Sequence, residues 1–180
     1  MPQSSPSPTP KEVLRLPAVS LGAEHLAMGY LLRRNILTYK APPNNEGYDL
    51  ICIHPNHKIK SKTLRIQVKS RMQSDHGWGF PLKEKNLDSF DFLIVVFLNI
   101  GYYNRKSKHA TKDGLKPIDI YTFPNEFIKR IYKTGQKGMA KVNIPKELRQ
   151  EIEKYKNEKG FDLIAKKLKI EYPERLGADE

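Results

Sequence analysis

The sequence predicts an α/β (α+β) domain built on a mixed central sheet with flanking helices. Three observations predict it: an amphipathic helical stretch near the front, a run of strand-like segments through the middle, and further helical stretches at the end. At 180 residues the chain has the length of one domain. Its 38% hydrophobic residues can form a core despite 29% charged ones, which argues against wholesale disorder.

Residues 1–11 are rich in Ser and Pro, lack apolar surface to bury, and are expected to be a disordered tail. Residues 12–170 form the expected domain, and 171–180 an expected frayed tail. Ser20 is a candidate N-cap for a helix to about Arg34, with Val19, Ala23, Leu26, Tyr30 and Leu31 as its apolar stripe and Asn35 as its stop. Ile36 to Tyr39 is a short strand, and the Pro- and Asn-rich stretch to Gly47 is a loop. Tyr48 to Ile53 is a strand with Asp49, Ile51 and Ile53 on one face. A turn through Pro55, Asn56 and Lys62 leads to a strand at Thr63 to Ser70, which sets Leu64, Ile66 and Val68 against Arg65, Gln67 and Lys69. His76 to Phe80 reads as a hairpin tip. Asp91 to Ile100 is an apolar run expected to be central and buried on both faces. Pro117 to Phe123 is a further strand, and Pro124 opens a helix to Tyr132. Pro145 opens another to about Glu158, with Leu148, Ile152 and Tyr155 on one side, and Phe161 to Leu168 is the last.

Lys and Arg exceed Asp and Glu by 32 to 20, a net +12 that favours a polyanionic partner, above all nucleic acid; a merely solvated surface explains the charge as well. The lone Cys52 excludes an intrachain disulfide and reads as a small buried thiol in a reducing compartment. The longest apolar run, Phe92 to Leu98, falls short of the roughly 20 residues of a membrane span. The first ten residues lack signal-peptide character, so the expected location is the cytoplasm. Cys52, His54 and His57 have no fourth ligand at a supporting spacing, so no zinc site is expected.

Metal-assisted phosphodiester hydrolysis needs oxygen ligands for a hard cation and a group that places the attacking water. If the strands of Asp49 and of Gln67 and Lys69 pair, those three side chains converge, with Glu24 at the margin of the helical face that packs on the sheet. Each residue also has a plainer explanation: Glu24 as a solvated carboxylate near a helix start, Asp49 as a turn residue after Gly47, Gln67 and Lys69 as an exposed strand face.

Gly47-Tyr48-Asp49-Leu50 and Arg65-Ile66-Gln67-Val68-Lys69-Ser70, with Gly22-Ala23-Glu24 upstream, resemble the PD-(D/E)XK nuclease superfamily. The likeness is to the branch that carries Gln-x-Lys, which includes an intron-encoded homing endonuclease and many bacterial proteins. It spans roughly residues 20 to 100. It implies a restriction-endonuclease-like fold and a bacterial, Mg²⁺-dependent DNA endonuclease for which Mn²⁺ substitutes. Under it Asp49 is the central metal ligand, Gln67 offers its amide oxygen, the Val68 carbonyl completes the inner shell, and Glu24 binds directly or through water. Lys69 orients or activates the attacking water. Tyr48 stands where the motif has Pro, and Gln67 in place of an acid leaves one negative charge fewer for a second metal.

Arg65, Ser70, Arg71, Arg105, Lys106 and Lys108 are candidate phosphate contacts, and Trp78 a candidate contact to a base or sugar. A homodimer is expected, because two-fold symmetry lets one site per chain cut two antiparallel strands. Two rival readings stay open: a basic nucleic-acid-binding domain that keeps this fold without catalysis, and an interaction domain with an incidental motif.

Overall fold

A computed structural model describes residues 17–43, 45–75, 77–103, 112–133 and 141–171. The tail expected at residues 1–11 falls outside these, as does the one expected at 171–180 apart from Glu171.

Helix α1 (Pro17–Arg33) begins three residues before Ser20, which therefore lies within it rather than capping it. Ala23, Ala27 and Leu31 are fully buried on its inner side, and the two alanines let the helix approach the sheet closely. Asn35 ends it with a positive φ of 57°, a conformation Asn tolerates. Strands β1 (Leu37–Lys40), β2 (Leu50–Ile53) and β3 (Leu64–Gln73) follow as an antiparallel run. Next come β4 (Gly79–Pro81), β5 (Phe92–Tyr102) and β6 (Asp119–Pro124). Helix α2 (Asn125–Ile131), β7 (Tyr132–Lys133), β8 (Lys141–Asn143) and α3 (Asn157–Leu168) complete the described elements.

The main sheet has the order β1-β2-β3-β5-β6, with β3 and β5 parallel and its other pairs antiparallel. The apolar run at β5 is central, as its composition predicts, and it divides the core. Phe92, Ile94 and Val96 face a cluster with Ile66, Val68, α1 and α3. Leu93, Val95 and Phe97 face a second cluster built from Phe80, Tyr121, Phe123, Phe127 and Val142. Leu98 is only partly buried and Ile100 is 38% exposed, so two-sided burial fades along the strand.

A small second sheet, β4-β8-β7, closes the latter cluster. Its strands of two or three residues are too short to show a period in the sequence. The helix expected from Pro145 to Glu158 is instead two 3-10 segments, Lys146–Leu148 and Glu151–Tyr155. Lys156 bridges to Tyr121 of β6, and Asn157 turns at φ 48° with its Oδ1 accepting the Ile120 N–H, so no helix can run through. Helix α3 starts there, four residues before Phe161. Among the described residues no helix is long and apolar enough to cross a membrane.

Candidate active site

The site forms where β2 stops short of β3. The register of β2 against β3 ends at Leu50 opposite Ile66, and Asp49 closes it by donating its N–H to the Ile66 carbonyl at 2.8 Å. On the other side the Asp49 carbonyl accepts the Ala41 N–H at 2.9 Å, so this residue is held by the chain before β2 and by β3. Gly47, two residues earlier, sits at φ 99° in a loop where an added Cβ would collide with Ser89. Only glycine fits there.

Beyond Ile66 the β2-facing edge of β3 has no backbone partner in that register, and Asp49 fills it with its side chain. Its Oδ2 accepts the Val68 N–H at 2.6 Å, which places the carboxylate along the strand edge between the two faces of the sheet. The Gln67 amide donates to the same oxygen and, at 3.4 Å, to the Val68 carbonyl. Gln67 is 5% exposed, so its amide has to be satisfied inside the protein.

Lys69 lies two residues along β3. Burial lowers its pKa, the nearby Asp49 charge opposes that shift, and Arg71 adds to it. The ammonium is therefore closer to giving up its proton than a surface lysine.

The structure thus brings Asp49, Gln67 and Val68 together, with Lys69 near the Asp49 charge. Glu24 is held by another partner. It sits beside the buried Ala23, and its carboxylate forms an ion pair with Lys40 of β1. Lys40 lies opposite Leu50, next to Asp49 in the chain but on the side of the sheet that packs on α1. No spacing in the sequence signals Lys40, because only the β1–β2 register brings it there.

The expected DNA contacts are also partly engaged. Arg65 pairs with Asp91 at 3.6 Å and donates to the Asp88 carbonyl at 3.4 Å. Arg71 donates to the Gly77 carbonyl at 3.3 Å, and its guanidinium lies 5.0 Å from the Phe80 ring centre, where burial lowers its pKa. Ser70 is half-buried on β3. Trp78, a candidate contact to a base or sugar, is partly buried and packs edge-on against Phe97 and Tyr121, each at 5.0 Å. Arg105, Lys106 and Lys108 lie outside the described residues.

An oxygen-only donor set of carboxylate, amide and carbonyl suits a hard divalent cation. The Gln67 NH₂ bridges the Asp49 carboxylate and the Val68 carbonyl, which is where positive charge between two oxygens is favoured. A half-turn of that amide offers a third oxygen instead. The donor set therefore fits such an ion, although among the described residues no three His, Cys, Asp or Glu side chains cluster as ligands.

The five-stranded mixed sheet with flanking helices matches the fold of a solved endonuclease, the restriction-endonuclease-like fold. Among solved structures, the chain is similar to the bacterial homing endonuclease I-Ssp6803I, with a TM-score of 0.50 and 18% identity over 85% of this chain and 93% of that one. It is also similar to Hjc, a Holliday junction resolvase from Archaeoglobus fulgidus, with a TM-score of 0.38 and 10% identity over 71% and 91% of the two chains. No family model matches the chain, and no curated protein matches it by sequence.

Proposed function

We propose that this chain is a divalent-metal-dependent endonuclease that hydrolyses phosphodiester bonds in duplex DNA. The observation that carries the reading is the Gln67 amide bridging the Asp49 carboxylate and the Val68 carbonyl beside Lys69. Asp49, Gln67 and the Val68 carbonyl are the residues that would hold Mg²⁺, with Mn²⁺ as a substitute. Bound there, the ion would supply Lewis-acid polarisation of the phosphate and a lowered pKa for water.

Lys69 orients the attacking water and stabilises negative charge on the phosphate as the new P–O bond forms and the bond to the leaving oxygen breaks. Glu24, once its pair with Lys40 opens, is the further carboxylate for the ion or its water shell. The net charge of +12 suits a polyanionic substrate. Two copies related by a two-fold axis would cut both strands.

The rival reading is a DNA-binding domain of this fold without catalysis. It draws support from the same amide, which satisfies both oxygens with no ion. Purified protein incubated with plasmid and with linear duplex DNA separates the two. The nuclease reading expects Mg²⁺-dependent cleavage that EDTA and Asp49→Asn abolish. Salt-sensitive binding without cleavage would favour the rival, and equal cleavage by wild type and Asp49→Asn would end the assignment of this site.

A further inference from the structure

From Leu50 to Ser74 the chain contains no Asp or Glu, yet it carries Lys58, Lys60, Lys62, Arg65, Lys69 and Arg71. This acid-free stretch is one structural unit, β2 and β3 with the turn between them. We propose that this turn is a DNA-backbone clamp, in which Lys58, Lys60 and Lys62 hold phosphates of the same duplex that the Asp49 site cuts. The inference rests on the nuclease reading and adds to it where the substrate is held.

The turn is shaped by its own hydrogen bonds. Asn56 Oδ1 accepts the Lys58 N–H at 2.9 Å, the Asn56 carbonyl accepts the Ile59 N–H at 3.1 Å, and His54 Nδ1 accepts the Asn56 N–H at 2.9 Å. The lysines that follow are therefore presented from a defined loop. All three are exposed, and among the described residues none of them forms an ion pair with a carboxylate. Elsewhere Lys40, Lys85, Lys129, Lys154, Lys156 and Lys167 each face a carboxylate. A lysine with no internal partner keeps its charge for phosphate, and its counterions are released when DNA binds.

Position supports the same use. Asp49 lies at one end of β2 and the turn at the other, and four strand residues at about 3.3 Å each put the turn roughly 13 Å or more from the site. With about 3.4 Å of duplex axis per base pair, the turn reaches phosphates about four or more base pairs from the cut. Because β2 and β3 carry both features, grip and chemistry are rigidly coupled.

The experiment compares the full chain with K58A/K60A/K62A and with a control, K146A/K159A/K166A, which removes three exposed lysines outside the turn. Binding of a fluorescent duplex is followed by anisotropy in Ca²⁺ across a salt series, and cleavage is followed in Mg²⁺ at saturating DNA. The turn variant should bind about tenfold or more weakly near 100 mM salt, and its log–log salt slope should fall by about 2 to 3. Its saturated cleavage rate should be unchanged, and the control should lose much less. Equal losses in the two variants, or an unaltered slope in a turn variant that still binds and cleaves, would overturn the clamp and leave the nuclease reading intact. A wild type that neither binds nor cuts DNA would remove both.

Discussion

Asp49 Oδ2 takes the Val68 N–H at 2.6 Å, so the carboxylate proposed to hold an ion also completes the edge of β3. The two roles can be separated by substitution. Asp49→Ala removes both, and the orphaned buried N–H should cost about 1–3 kcal/mol of stability. Asp49→Asn keeps an acceptor for that N–H, and Gln67 can turn its amide to suit the new side chain. It should therefore fold nearly as well as wild type and lose cleavage. Denaturant melts of both variants beside a cleavage assay check this, and an inactive wild-type-like Asp49→Ala would show that the edge bond contributes nothing.

Gln67→Glu should make metal a condition of stability. The new carboxylate would face Asp49 in a buried setting where Gln67 now donates a hydrogen bond, so without metal the two charges repel. With a divalent ion they become a stronger ligand pair. In EDTA the variant should melt below wild type, and millimolar Mg²⁺ should raise its melting temperature by more than it raises that of wild type. Identical metal responses in the two proteins would mean that no ion enters here.

The sequence made the strands of this site legible because both obey the two-residue period: Leu64, Ile66 and Val68 are buried as predicted, and β5 is central. It could not show that Asp49 acts along a strand edge rather than from a face, since that follows from β2 ending at Leu50. Glu24 was placed at the inner margin of α1 by its neighbours, but its partner Lys40 is set by a register that no local pattern reports. The break at Lys156 was hidden for a similar reason, because the Tyr121 bridge that causes it is distant in sequence.

Trp78 tests where aromatic side chains are used. Its ring is wedged against Phe97 and Tyr121. Trp78→Ala should therefore destabilise the fold, by less than the ~3 kcal/mol or more of a fully buried aromatic truncation, since Trp78 is only partly buried. Trp78→Phe should cost less and leave DNA affinity unchanged. A tenfold loss of affinity in a fully stable Trp78→Phe would return this residue to the DNA interface.

Cys52 gives a pH prediction. Burial pushes its thiol up to about 12, with the Thr38 contact opposing. The unfolded thiol ionises near its ordinary value, so the buried neutral form contributes stability that is complete below that value and is lost as pH climbs towards 12. Wild type should lose stability more steeply than Cys52→Ala between about pH 9 and 11, measured by denaturant melts. The native thiol should also resist iodoacetamide at pH 8, where unfolded protein reacts. Rapid alkylation of the folded chain would contradict a buried Cys52.

Lys69 should be a residue that activity needs and stability does not. Burial works against its charge more strongly than Asp49 supports it, so the folded state bears a net cost for keeping an ammonium beside β3. Lys69→Met keeps most of the length and apolar stem without that charge. Its melting temperature in EDTA should rise above that of wild type, because the buried charge is gone. Cleavage should fall by about a hundredfold or more, because the Lys69 ammonium is the side chain proposed to orient water and meet charge on the phosphate. A lower melting temperature in Lys69→Met would show that the attraction to Asp49 outweighs burial, and unchanged cleavage would move the chemistry to another residue.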